Sequence, residues 1–160
     1  MRTRILAGIL GILGLLLLHT LWLVGGRALI FPTPHEHLDF PRIYAYRDWQ
    51  STGIWVEPGD RIAIRAWGRW MYTPGEYHGP EGHPKYRAPH MYPIPGVPGG
   101  ILIGRIGERG TPFVVGKGRV IYAPRAGILY LRINDDILSD NDGYVEVEIR
   151  VTRVTPTPSP

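Results

Sequence analysis

Alternation of apolar and polar positions dominates the second half of the chain. In RIAIRAWGRWMY (residues 61–72) it places Ile62, Ile64 and Ala66 on one face and Arg61, Ala63, Arg65, Trp67 and Arg69 on the other. A period of two is the pleat of a β-strand. YVEVEIRV (144–151) repeats the pattern, with Val145, Val147, Ile149 and Val151 inward and Glu146, Glu148 and Arg150 outward. Shorter strand-like runs are GIWV (53–56), GILIGRIG (100–107), PFVVG (112–116), RVIYAP (119–124) and GILYLRIND (127–135), with turns such as EPGD (57–60) between them. After Val24 no long segment has helical period. Seven or eight short strands with Gly/Pro turns predict an all-β, antiparallel β-sandwich. Roughly 115 residues suffice for such a domain to bury a core without disulfides.

The first residues follow a different rule. After Arg2 and Arg4, ILAGILGILGLLLLHTLWLV (5–24) holds no charge and only His19 and Thr20 as polar residues. Twenty helical residues span about 30 Å, the hydrocarbon thickness of a bilayer. Residues 1–27 are therefore expected to be a transmembrane signal anchor. The rival reading is a cleavable signal peptide, whose apolar region is usually shorter and ends at a small-residue site. Arg2 and Arg4 favour a cytoplasmic N-terminus, which predicts a single-pass protein of the cell (inner) membrane with its C-terminal domain periplasmic or extracellular. Residues 28–41, including FPTPHEHLDFP, read as a Pro-rich linker in which His35-Glu36-His37 is a solvated triplet. Residues 42–154 form the domain, and 155–160 (TPTPSP) a disordered tail.

Charge narrows the function classes. Three of the eighteen basic residues precede residue 35, so the rest of the chain carries fifteen against fourteen acids. A net charge near +1 is no footprint for a phosphate backbone, and nucleic acid is not an expected partner. The chain has no cysteine, hence no disulfide and no thiolate metal site. No Ser-His-Asp arrangement or paired carboxylates outside one acidic loop mark a catalytic centre, and the chain is expected not to be an enzyme.

That acidic loop, NDDILSDNDG (134–143), is the most distinctive local feature. Residues 134–142 hold four Asp and two Asn, although the whole chain has only fourteen acidic residues. Two readings stand. One is a polar turn between strands, with Asp142-Gly143 as its corner. The other is a site for a hard cation, because Ca²⁺ takes about six to eight oxygen ligands from carboxylates, amides and backbone carbonyls. The spacing is not that of an EF-hand, since Leu138 and Ile149 stand where acidic ligands would fall. The other unusual segment, residues 78–100, contains six Pro, five Gly, three His and two Tyr without periodicity. Such a loop tends to be functional or mobile.

Five stretches in order, VEPGDRIAIRAWG (56–68), Tyr72 with Pro74, GPEGHP (79–84), GGILIGRIG with PFVVG, and NDDILSDNDG, resemble the galactophilic, calcium-dependent bacterial lectins of the LecA type. The resemblance implies a jelly-roll-like, galactose-binding-like sandwich with one Ca²⁺ at its tip, two hydroxyls of a galactose-like sugar completing the metal's shell. Carried over by position, the metal ligands are the side chains of Asp135, Asp140 and Asn141 and the carbonyls of Tyr72 and Leu138. The sugar site comprises Tyr72, His83, Tyr86, Asp135, Asp136 and Asp140. The chain departs from the family in a shorter loop between Asp135 and Asp140, in Asp140 replacing an Asn, and in Tyr86 replacing a Gln. The expectation is a membrane-anchored, calcium-dependent galactoside-binding module. The alternative is a calcium-stabilised structural or protein-interaction domain without sugar binding. Trp55, Trp67 and Trp70 are expected in the core unless one lies at the rim, and Gly100, Gly104 and Gly107 are read as strand and turn glycines rather than a phosphate loop.

Overall fold

The computed structural model describes residues 36–39 and 41–154; the apolar segment expected to cross a membrane and the C-terminal tail lie outside them. Among the described residues there is no helix, and so none long and apolar enough to cross a membrane. Ten strands form: β1 (Glu36–Asp39), β2 (Arg42–Tyr44), β3 (Gln50–Val56), β4 (Arg61–Thr73), β5 (Glu76–His78), β6 (Leu102–Ile106), β7 (Phe113–Val114), β8 (Gly118–Tyr122), β9 (Gly127–Ile133) and β10 (Asp142–Thr152).

They make two antiparallel sheets. The larger is built on the long central pair β4 and β10; β10 carries β1 and β2 in succession on its other edge, and β4 carries β8 and β5. The smaller runs β3-β9-β6-β7. The alternation read from the sequence decides the register of the central pair: Ile62 faces Val151, Ile64 faces Ile149 and Ala66 faces Val147. A slip by one residue would turn every one of these side chains to solvent. These residues meet Leu129, Leu131 and Ile133 of β9, Leu102 and Ile106 of β6 and Ile54 and Val56 of β3 in one core.

Three features depart from the sequence expectation. Within the segment read as linker, Glu36–Asp39 pairs antiparallel with the end of β10. Strands β2 and β5, three residues each, were too short to show alternation. Of the three tryptophans expected in the core only Trp70 is there; Trp55 is 50% and Trp67 43% exposed. Both stand on the outward parity of their strands, beside buried Ile54, Val56 and Ala66, so position on the pleat outweighs aromatic character.

The EPGD turn closes on a buried carboxylate. Asp60 Oδ2 accepts from the Glu57 N–H (2.9 Å) and Arg153 Nη1 (2.7 Å), and Oδ1 from the Val154 N–H (3.1 Å). Burial alone would push this carboxyl up, but the hydrogen bonds and the guanidinium outweigh it and hold it below 3.8. A depressed carboxylate contributes stability that is complete above its unfolded value and is lost as pH falls through the folded one. Asp60→Asn should therefore cost about 1–3 kcal/mol at neutral pH. The melting-temperature gap between the two proteins should be constant above about pH 5 and narrow below about pH 4. A gap that stays constant down to pH 3 would contradict this role.

Candidate functional site

At one end of the sandwich a cavity of about 420 Å³ opens, walled by Tyr72, Tyr92, Tyr86 and His83 together with Asp135, Asp136 and Asp140. All six residues carried over as a sugar site are in its lining. The expected metal ligands divide. Tyr72, Asp135 and Asp140 line the cavity. Asn141 is buried directly beside Asp135. The Leu138 side chain packs against the core, so only its carbonyl remains a candidate, and that oxygen accepts the Asn141 N–H at 3.4 Å.

The carboxylate side is held from below. Arg132, buried at the end of β9, donates from Nη2 to the Asp135 carbonyl (2.7 Å) and from Nε to that of Ile133 (3.0 Å), and pairs through Nη1 with Asp48. Asp135 Oδ1 accepts the Asp136 N–H (2.8 Å) and Oδ2 accepts Asn141 Nδ2 (2.7 Å). Burial nevertheless pushes the Asp135 carboxyl above its ordinary value, more than the Asn141 amide, the Tyr92 hydroxyl and the nearby N–H groups pull it down.

The amide beside it is short of a partner. Asn141 is 6% exposed, and its Nδ2 is surrounded by acceptors: Asp135 Oδ2, the Ile137 carbonyl (3.3 Å) and the Ala45 carbonyl (3.5 Å). These contacts fix which way the amide points, and they leave Oδ1 buried without any hydrogen-bond partner. A buried acceptor left unmatched costs about 1–3 kcal/mol. Such an oxygen next to a buried carboxylate matches the donor set of a hard cation.

Tyr72 joins the lining from the end of β4. Its pairing partners stop short of it: β10 ends at Asp142↔Met71, and the β4–β5 register shifts between Met71 and Thr73. The ladder is thus irregular at Tyr72, where β4 enters the cavity lining. Its ring lies on Gly99-Gly100, where a Cβ at Gly100 would come within 2.6 Å of Tyr72 Cγ, and φ of +72° also favours glycine. The Tyr72 hydroxyl bonds that of Tyr92 (2.9 Å). Burial pushes Tyr72 up to about 12 and Tyr92 higher still, so both rings stay neutral.

The Pro-rich segment is an ordered wall. It doubles back, with Ala88 and Val97 bonded across it and the Gly99 N–H on the Tyr86 carbonyl. Asn134, fully buried, takes the Ile94 N–H on Oδ1 and donates Nδ2 to the Ile94 carbonyl, both 2.9 Å. The first residue of the acidic loop thus fastens this wall. Sequence reasoning missed Tyr92, hidden in an aperiodic stretch, and Glu76, on a strand too short to recognise; both line the cavity.

His83 has a defined proton. Its Nδ1 accepts the N–H groups of Lys85 (3.1 Å) and Tyr86 (2.9 Å), which places the proton of the neutral ring on Nε2, 3.5 Å from Glu76 Oε2. The ligand atoms of Glu76, His78 and His83 lie within 4.8 Å of one another. Metal-bound histidines, however, donate from their second nitrogen, and here that nitrogen accepts. The arrangement makes His83 a hydrogen-bond donor at Nε2, not a metal ligand.

No protein-family model and no curated protein matches this chain. Among solved structures, the EclA N-terminal domain, described as a PllA-like lectin, aligns with a TM-score of 0.55 over 70% of this chain and 94% of that one, at 21% identity. The chain has the fold of that lectin domain. The aligned share of this chain falls short of its full length, and almost the whole of the lectin domain is matched.

Proposed function

We propose that this protein is a calcium-dependent carbohydrate-binding module that takes a galactose-like sugar. The observation that carries the proposal is the orphaned, buried Asn141 Oδ1 beside the buried carboxylate of Asp135, at the cavity that collects every residue of the expected sugar site. The side chains of Asp135, Asp140 and Asn141 and the carbonyls of Tyr72 and Leu138 would hold the Ca²⁺. Bound there, the ion neutralises the clustered carboxylates and offers open positions to vicinal hydroxyls. The chain's own groups do the rest. His83 donates from Nε2, Tyr86 offers a ring at the mouth, 45% exposed, and Asp136 and Glu76 accept from hydroxyls. Among the described residues the lining contains no Lys or Arg, which favours neutral sugars over acidic ones. The fold shared with a lectin domain supports the same reading, with site chemistry rather than fold supplying the argument.

Membrane attachment through residues 1–27 belongs to this proposal. A site on an exposed rim binds single sugars weakly, and many copies on one membrane raise the effective concentration. The test separates metal from sugar. His83→Ala should lower binding to a multivalent galactoside surface about tenfold or more, in line with losing one hydrogen bond to a ligand hydroxyl, while leaving calcium-dependent melting unchanged. Asp140→Ala should weaken both. Calcium-dependent melting with no binding to any glycan would favour a structural clip instead.

A further inference from the structure

A second concavity adjoins the first. Along one edge of β4, β8 pairs with residues 61–65 and β5 with residues 70–73, so residues 67–69 have no strand beside them on that side. Above this gap lies a groove of about 770 Å³, within the range typical of ligand sites. Trp67 and Tyr77 lie in its lining, 43% and 42% exposed, and Pro80, Pro84 and Pro98 stiffen its walls. The polar ends of both aromatic residues are already engaged. Trp67 Nε1 donates to Glu146 Oε2 (2.9 Å) and the Tyr77 hydroxyl to Asp142 Oδ2 (3.3 Å). What the two side chains offer a ligand is therefore the apolar ring, held in place at little further entropic cost. The ion pair of Lys117 with Glu81 (3.1 Å) adds a donor and an acceptor to the lining.

His83 belongs to the lining of both concavities. We propose that the groove is a second carbohydrate subsite, which takes the sugar unit next to the one held at the acidic cavity; this rests on the carbohydrate reading of that cavity. A pyranose presents an apolar C–H face and a hydroxyl rim, which fits flat aromatic surfaces edged by a charged pair. A ligand crossing His83 would engage the imidazole from one side with its terminal residue and Trp67 and Tyr77 with the next. The continuity of the two concavities selects a longer glycan as the occupant over an unrelated peptide.

The test compares chain lengths on the full-length protein in calcium, by competition of methyl galactoside and of a galactose-terminated tetrasaccharide against an immobilised galactoside. The tetrasaccharide should compete about two- to tenfold better, the range expected for one or two ring contacts. Trp67→Ala and Tyr77→Ala should each reduce that advantage while leaving methyl galactoside competition within about twofold; Trp67→Phe should keep most of it, which distinguishes a ring contact from a folding defect. If methyl galactoside binds and the longer glycan gains nothing, or gains equally in both alanine variants, the subsite is wrong and the primary site stands. If neither sugar binds, the carbohydrate reading itself fails and takes the subsite with it.

Discussion

Millimolar Ca²⁺ should raise the melting temperature of the full-length protein by on the order of 10 °C, and Mg²⁺ should do far less. A ligand present at a hundred times its dissociation constant, bound only by the folded state, adds about 2.7 kcal/mol. In a domain of this size each kcal/mol is worth roughly 3–6 °C. The selectivity follows from the donors. Carboxylates, an amide and backbone carbonyls on a loop adapt to the larger ion, whereas Mg²⁺ demands a tight octahedron and keeps its waters. Asp135→Ala should remove the shift almost completely. The calcium-free variant should also lose some stability, because the buried Asn141 Nδ2 and the Asp136 N–H lose their acceptor. Equal melting in calcium and in chelator would end the cation reading of the loop.

The second large effect belongs to Trp70, the largest of the fully buried side chains. It fills the core beneath the cavity and donates Nε1 to the Gly100 carbonyl (3.0 Å), so the same residue ties β4 to the end of the Pro-rich wall. Trp70→Ala should cost about 3–5 kcal/mol from lost packing and the cavity left behind. That is a large share of the roughly 5–15 kcal/mol total of a typical domain. Trp67→Ala, three residues away on the opposite face of the strand, should change stability by much less than Trp70→Ala, as expected for a half-exposed side chain. Chemical denaturation of the two variants side by side measures the contrast. Comparable losses would mean that strand parity does not govern this sheet.

That contrast also shows what was legible in the sequence. The alternation along β4 and β10 specified the core face of both long strands, because eight or more consecutive residues reveal a period of two. It also put Trp67 outward, and the expectation that strand tryptophans are buried was the weaker guide. Strands β2 and β5 escaped because three residues carry no period, and β1 because its pairing comes from the far end of β10. The acidic loop stood out by composition, and the six residues carried over as a sugar site line one cavity, with Asn141 and Leu138 outside its lining. What composition did not reveal is the division of labour inside that loop. Asn134 fastens the Pro-rich wall through Ile94, forty positions away, while Asn141, bonded to Asp135, Ile137 and Ala45, presents a bare oxygen; only the fold distinguishes the two amides. Tyr92 reaches the cavity from an aperiodic turn and Glu76 from the short β5, and neither placement follows from a local pattern.

The most direct measurement passes the full-length protein over an immobilised multivalent galactoside in calcium buffer and then exchanges calcium for chelator. Retention in calcium with prompt release by chelator is the expected result, because the carboxylates of Asp135 and Asp140 and the buried Asn141 oxygen are proposed to hold the ion that the sugar hydroxyls complete. Retention that survives the chelator would contradict calcium-dependent binding. Passage without retention, while calcium still raises the melting temperature, would show that the ion serves the fold and not a sugar.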